Sequence, residues 1–275
     1  MKRLTSLLLV FTVALAQAQT KRALFIGNSY TYYNSLPDMI NSMANSFGDT
    51  LIHDSNTPGG HRFMNHVVNT TTLSKIAVGG WDFVSLQAQS QEPSFSPGQV
   101  ASEVYPHAET LCDSITNADA CAMPLFFMTW GRKYGDAANC PFYPPVCTYD
   151  GMQNRLRESY TEMAFDNDAM VSPVGAVWKQ IIDSVPSLEL YSPDESHPSL
   201  AGSYAACCTF YASMWRKSPV GSTYDAGLPA ADVAVIQHFA EKVVLDSLST
   251  WFIDTHGLIA DLNITLQSGY TYEFS

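Results

Sequence analysis

A serine at position 29 closes the short run Leu24-Phe25-Ile26-Gly27-Asn28, and Asp194-Glu195-Ser196-His197-Pro198 follows about 165 residues later. A serine hydroxyl is a weak nucleophile until a base takes its proton. The base in turn needs an acidic partner to hold its tautomer and stabilise its charge. His197 and Asp194 can be that base and acid for Ser29. The chemistry open to such a set is attack on an ester carbonyl, an acyl-enzyme, and release of the acyl group to water. The tetrahedral oxyanion on this path needs hydrogen-bond donors. The candidates are the backbone N–H groups of Ser29 and Gly60 and the side-chain amide of Gln89 or Gln87. A glycine at position 60 leaves the backbone free to approach the substrate. This scheme requires no metal and no organic cofactor.

These residues can meet only if the chain brings them to one edge. Apolar runs over residues 22–27, 50–55, 82–87, 123–129 and 169–173 read as five strands. Helical patterns over 35–48, 98–116, 153–167, 175–185, 199–215 and 229–249 alternate with them. Such alternation predicts an α/β three-layer sandwich with a mostly parallel five-stranded sheet covered on both faces. The loops after the first four strands carry Gly27-Asn28-Ser29, Gly59-Gly60, Gln87-Ala88-Gln89-Ser90 and Thr129-Trp130-Gly131-Arg132. In an open sheet they converge at the carboxyl edge. Trp130, Asn28 and Arg132 are the candidates for substrate contact there; for Trp130 and Arg132, core packing and a solvated charge are the alternatives. Tyr32, Tyr33, His61 and Tyr134 can line the same cleft, whereas His53, His66, His107, His238 and His256 show no partner pattern and read as structural or solvent-facing. Residues 133–150, rich in Gly, Pro, Cys and Tyr, read as an inserted loop of the length functional loops often have.

The 275 residues, 46% hydrophobic and 15% charged, suit one core-forming domain. Residues 1–18 read as a secretory signal, with Lys2 and Arg3 before an apolar stretch and Ala16-Gln17-Ala18 as a cleavage site. The expected division is therefore a signal peptide over 1–18, the domain over 19–250, and a β-like extension over 251–275. Loss of Lys2 and Arg3 takes the formal charge from −12 to −14. That balance repels phosphate backbones and anionic lipid, so nucleic acid is excluded as a partner, and no run is long enough for stable membrane insertion. The expected location is secreted or periplasmic, and the oligomeric state stays open. Six cysteines in an exported chain favour disulfides. Cys140 with Cys147 and Cys112 with Cys121 each flank a loop and are expected to bridge; Cys207 and Cys208, side by side in a helical pattern, put at least one thiol in the core.

Gly27-Asn28-Ser29, Gly60 and Asp194-x-x-His197-Pro198 resemble, in order and spacing, three of the four sequence blocks of the SGNH/GDSL hydrolases. The resemblance runs from about Leu24 to Trp215 and implies a flavodoxin-like sheet, a Ser29 nucleophile, a His197 base, an Asp194 orienting acid and a Gly60 oxyanion donor. Two places depart from the family pattern. Asn28 and Tyr30 flank the serine where Asp and Leu are usual, and Gln87-Ala88-Gln89-Ser90 stands where Gly-x-Asn-Asp is usual. A glutamine amide offers the same donor on a longer arm. With the signal segment, the resemblance implies a secreted serine esterase acting on a small-molecule or polysaccharide ester; an acetyl ester of carbohydrate is preferred, because an exported enzyme meets such polymers and Trp130 and the tyrosines offer flat surfaces for sugar rings. The alternatives are a lipid esterase or acyltransferase using the same site, and a carbohydrate-binding protein on a degenerate hydrolase scaffold.

Overall fold

The computed structural model describes residues 18–253. The expected signal segment and, from residue 254 on, the expected C-terminal extension lie outside the described residues. Five strands, β1 (Thr20–Ile26), β2 (Thr50–Asn56), β3 (Phe83–Leu86), β4 (Met123–Phe127) and β5 (Met170–Ser172), pair in parallel in the order β2-β1-β3-β4-β5. Ala23, Leu24, Phe25 and Ile26 of β1 are all fully buried. A central strand covered on both faces has no polar side, which is why it reads as an unbroken apolar run.

Short α1 (Ser29–Tyr32) and α2 (Leu36–Ser46) follow β1, and α3 (Phe63–His66) and α4 (Thr70–Ala77) lead from β2 to β3. The helices α5 (Pro97–Glu103) and α6 (Tyr105–Ala118) precede β4, and α7 (Tyr149–Asp166) precedes β5. Beyond β5 come α8 (Val174–Ser184), α9 (Leu200–Trp215) and α10 (Ala230–Leu245). One layer is built on α9, which packs on β5, α2, α8 and α10; the other holds α4, α6 and α7 against β1 and β4. Every residue of α9 from Ala201 to Trp215 is buried, because α10 covers the side turned away from the sheet. That accounts for its apolar character all round.

Three local departures from the expected elements have physical causes. The helix expected over 98–116 is two helices that meet at Val104; Pro106, in the first turn of the second, has no N–H with which to continue the first. Helix α7 starts at Tyr149 rather than at residue 153 because Thr148 caps it, its hydroxyl accepting from the Gly151 N–H at 3.1 Å. Helix α4 begins in three threonines, poor helix formers, and is held by Asn69, whose Oδ1 accepts from the Thr72 N–H at 3.0 Å.

The Cys140–Cys147 bridge is formed. The expected Cys112–Cys121 bridge is not: Cys112 faces the core from α6, Cys121 lies on the surface beyond that helix, and both are free thiols. Burial pushes the Cys112 thiol up to about 12. Cys207 and Cys208 both lie in the core.

The sheet order reverses direction between β1 and β3, so the loops leaving these strands flank a crevice. Ile26 and Leu86, the last residues of the two strands, are register partners. Gly27-Asn28-Ser29 and Gln87-Ala88-Gln89-Ser90 are therefore neighbours.

Candidate active site

Ser29 is the first residue of α1, and its turn is held from below. The Asn28 side chain accepts from the Tyr30 N–H at 3.1 Å and donates from Nδ2 to the His61 carbonyl at 2.9 Å. Gln87 Oε1 accepts from the Asn28 N–H at 2.8 Å and from the Thr31 hydroxyl at 3.0 Å. This close approach needs glycine at position 27, where a Cβ would stand 2.6 Å from Gln87 Oε1 and 2.7 Å from Thr31 Oγ1. Buried His66 supports the Gly27 carbonyl through Nε2 at 2.9 Å, while its Nδ1 lies 2.8 Å from the Thr72 hydroxyl. Burial lowers the His66 pKa to about 4, so the ring is neutral: Nε2–H donates to the carbonyl and Nδ1 accepts from Thr72.

The second half of the site is a tight loop between Tyr191 and Ser199. The Ser192 N–H donates to the His197 carbonyl at 2.8 Å, and Asp194 Oδ1 accepts from the N–H groups of Ser196 at 3.1 Å and His197 at 2.9 Å. Asp194 Oδ2 is hydrogen-bonded to His197 Nδ1, and His197 Nε2 lies 2.8 Å from Ser29 Oγ. Acid, imidazole and hydroxyl thus form one relay. Partial burial works to raise the Asp194 pKa, but hydrogen bonds from the His197 ring and the His197 and Ser196 N–H groups outweigh it and hold the carboxyl below its ordinary range. The relay is open to solvent, the side chains of His197 and Asp194 being 25% and 46% exposed.

Gly60 sits at the surface in the left-handed region, φ +70°, where a residue with a Cβ would be strained. Gln89 is anchored by its own oxygen, which accepts from the N–H groups of Gln91 at 2.8 Å and Glu92 at 3.3 Å. Its Nε2 makes only longer contacts, to Ser90 Oγ at 3.3 Å and Gln91 Oε1 at 3.2 Å. The two loops are joined by an ion pair between Arg62 and buried Glu92. Burial raises the Glu92 pKa, against the opposing pull of Arg62.

Three expected roles are corrected by burial. Gln87 is fully enclosed beneath the Ser29 turn; its oxygen serves Asn28 and Thr31 and its amide donates to the Ala88 carbonyl, so it is a support and not an oxyanion donor. Asn28 is buried with both ends of its amide engaged and ties loops together instead of meeting a ligand. Trp130 has no exposed surface either: its indole is stacked between Tyr30, at 4.7 Å, and Trp178, at 4.0 Å, and its Nε1 donates to the Ser196 carbonyl at 3.0 Å. Arg132 keeps about a third of its side chain exposed and faces the buried Asp136 carboxylate at 3.6 Å. Asp136 in turn accepts from Gln91 at 2.6 Å and Asn139 at 2.7 Å, which anchors the disulfide-closed insertion to the Gln89 loop. The supporting residues His66, Tyr30, Ser196 and Asp136 were missed because the contacts that tie them to the site, His66 to Gly27, Tyr30 to Ser196 and Asp136 to Gln91, span 39 to 166 residues of chain.

No family model and no curated protein matches the chain. Among solved structures, it is similar to a protein from Slackia heliotrinireducens assigned as an SGNH hydrolase, at 27% identity and a TM-score of 0.58, over 70% of this chain and 97% of that one. The chain has the SGNH/GDSL hydrolase fold. It is also similar to an acetyl xylan esterase, with a TM-score of 0.52 at 14% identity, over 70% of this chain and 98% of that one. A DUF4886 family protein from Bacteroides uniformis superposes with a TM-score of 0.70 at 17% identity, over 82% of this chain and 95% of that one. In the SGNH fold of this chain, the relay of Ser29, His197 and Asp194 stands at the carboxyl edge of the sheet.

Proposed function

We propose that the protein is a serine esterase that hydrolyses acyl esters through an acyl-enzyme on Ser29. The observation that carries this reading is the 2.8 Å contact between Ser29 Oγ and His197 Nε2, with Asp194 on the opposite ring nitrogen. As Ser29 Oγ attacks the ester carbonyl, its proton passes to His197 Nε2, and Asp194 stabilises the imidazolium. The oxyanion is met by the N–H groups of Ser29 and Gly60 and by Gln89 Nε2. The first of these lies in the opening turn of a helix, where a backbone donor has no intrahelical acceptor. His197 returns the proton to the leaving alcohol, then activates the water that releases the acid.

An acetyl ester on a carbohydrate is the substrate class this reading favours. The relay is open to solvent, and Tyr32, 48% exposed, presents an aromatic surface that stacks on Tyr33, the ring lying on His197. A secreted or periplasmic location is supported by the Cys140–Cys147 bridge, since disulfides persist in oxidising compartments. Among the described residues no helix is long and apolar enough to cross a membrane.

The test is hydrolysis of p-nitrophenyl acetate, butyrate and octanoate beside Ser29→Ala, with fluorophosphonate labelling mapped by mass spectrometry. Turnover that is fastest on acetate, with label on Ser29 and both lost in the variant, is expected. Absence of label and of turnover above the variant would sink the esterase reading.

A further inference from the structure

Between the nucleophile and α2 the backbone does something costly. Asn34 and Ser35, consecutive residues with side chains, both take positive φ, +52° each, a region that L-residues enter at a free-energy cost. Two contacts make use of this turn. The Asn34 amide reaches the loop that carries the base: Nδ2 lies 2.9 Å from Ser203 Oγ, 3.2 Å from the Ser199 carbonyl and 3.4 Å from the Pro198 carbonyl. Next to it, the Tyr33 ring lies flat on the His197 imidazole, with centroids 4.3 Å apart and planes 16° from parallel. Among the described residues a second aromatic contact of the imidazole is edge-on, from Tyr30 at 5.3 Å, whose hydroxyl is 2.6 Å from Ser196 Oγ.

Tyr33 therefore closes one face of His197 while Ser29 and Asp194 occupy its two nitrogens. An aromatic face attracts a cation, and in the reaction the imidazole becomes one by taking the Ser29 proton. The Tyr33 contact is thus stronger in the charged state of the reaction than in the resting state, which is the condition for raising kcat instead of lowering KM. The distance between this face and the imidazole depends on the separation of two chain segments, 29–35 and 196–199, and the Asn34 amide bridges them.

We propose that Tyr33 and Asn34 are positioning residues for the base: Tyr33 braces His197 and stabilises its protonated form, and the strained Asn34 turn sets the gap between the nucleophile and base loops. This inference rests on the esterase reading of Ser29, His197 and Asp194.

The test uses the full chain and p-nitrophenyl acetate, with Tyr33→Leu, Tyr33→Phe, Asn34→Gly and Ser29→Ala compared for kcat, KM, melting temperature and the rate of fluorophosphonate labelling at Ser29. Removing the ring is expected to lower kcat and the labelling rate by about 10-fold, with KM within about 2-fold. Tyr33→Phe keeps the face and is expected to retain most of the kcat. Asn34→Gly relieves the strain at position 34 alone, Ser35 keeping its positive φ, and removes the amide; its melting temperature is expected to hold while kcat falls, a divergence that a merely structural turn does not produce. Full kcat in Tyr33→Leu, equal losses in Tyr33→Leu and Tyr33→Phe, or a rise in KM at unchanged kcat would overturn the proposal, the last because Tyr33 would then be binding substrate. Turnover surviving in Ser29→Ala would overturn the esterase reading itself, which separates the two failures.

Discussion

His66 offers a direct measurement of how the nucleophile turn is held. In the unfolded chain an imidazole takes up its proton near pH 6.5, whereas buried His66 holds off until about 4. Between these values the unfolded state binds a proton that the folded state does not, so stability is full above about pH 6.5 and falls as pH drops through the window. At 1.36 kcal/mol per pH unit the interval amounts to about 3 kcal/mol. The comparison is His66→Gln, which removes the titration and can still donate to the Gly27 carbonyl, but gives up the bond to Thr72. At pH 7.5 the variant is expected to be less stable than the parent by about 1–2 kcal/mol, the usual cost of a lost buried hydrogen bond. By pH 4.5 the parent has lost most of its His66 contribution, so the order reverses and the variant is the more stable by about 1 kcal/mol. Urea denaturation followed by tryptophan fluorescence at pH 7.5, 6.0, 5.0 and 4.5 reads this directly. A difference between the two proteins that does not change with pH would refute the argument that His66 is held neutral beneath Gly27.

The two glutamines separate in the same kind of experiment. Gln89→Ala is expected to lower kcat by about 10²–10³ with little change in KM, the cost of one oxyanion donor, read with p-nitrophenyl acetate. Gln87→Ala is expected to destabilise by about 1–3 kcal/mol, because it strips the acceptor from the Asn28 N–H and the Thr31 hydroxyl, and chemical denaturation measures it. Replacing Cys140 and Cys147 together by serine opens a loop with a sequence separation of 7 and is expected to cost about 2–3 kcal/mol, seen as a denaturation midpoint below the parent's, a difference that reductant abolishes.

What the amino-acid sequence determined by itself is whatever depends on near neighbours. The apolar runs read as strands because β1, β3, β4 and β5 are buried, and Asp194 and His197 read as a pair because they share one short loop. The Gly27-Asn28-Ser29 turn was legible for the same reason, since its cap, Asn28, acts on the N–H two residues on. Tertiary structure decided the roles that depend on which way a side chain points at a strand end. Gln87 and Gln89 are chemically identical, yet the Gln87 N–H bonds to the Ile26 carbonyl and continues the sheet, with its side chain under Gly27, whereas Gln89 lies beyond the sheet and bonds within its own loop. Trp130 had the composition of a ligand platform, but Trp178 from α8 and Tyr30 from α1 close over both of its faces. The role of His66 was not legible because the acceptor that defines it, the Gly27 carbonyl, lies 39 residues away. Contacts of that range follow from how helices settle on the sheet, a property of the whole chain that no local pattern encodes.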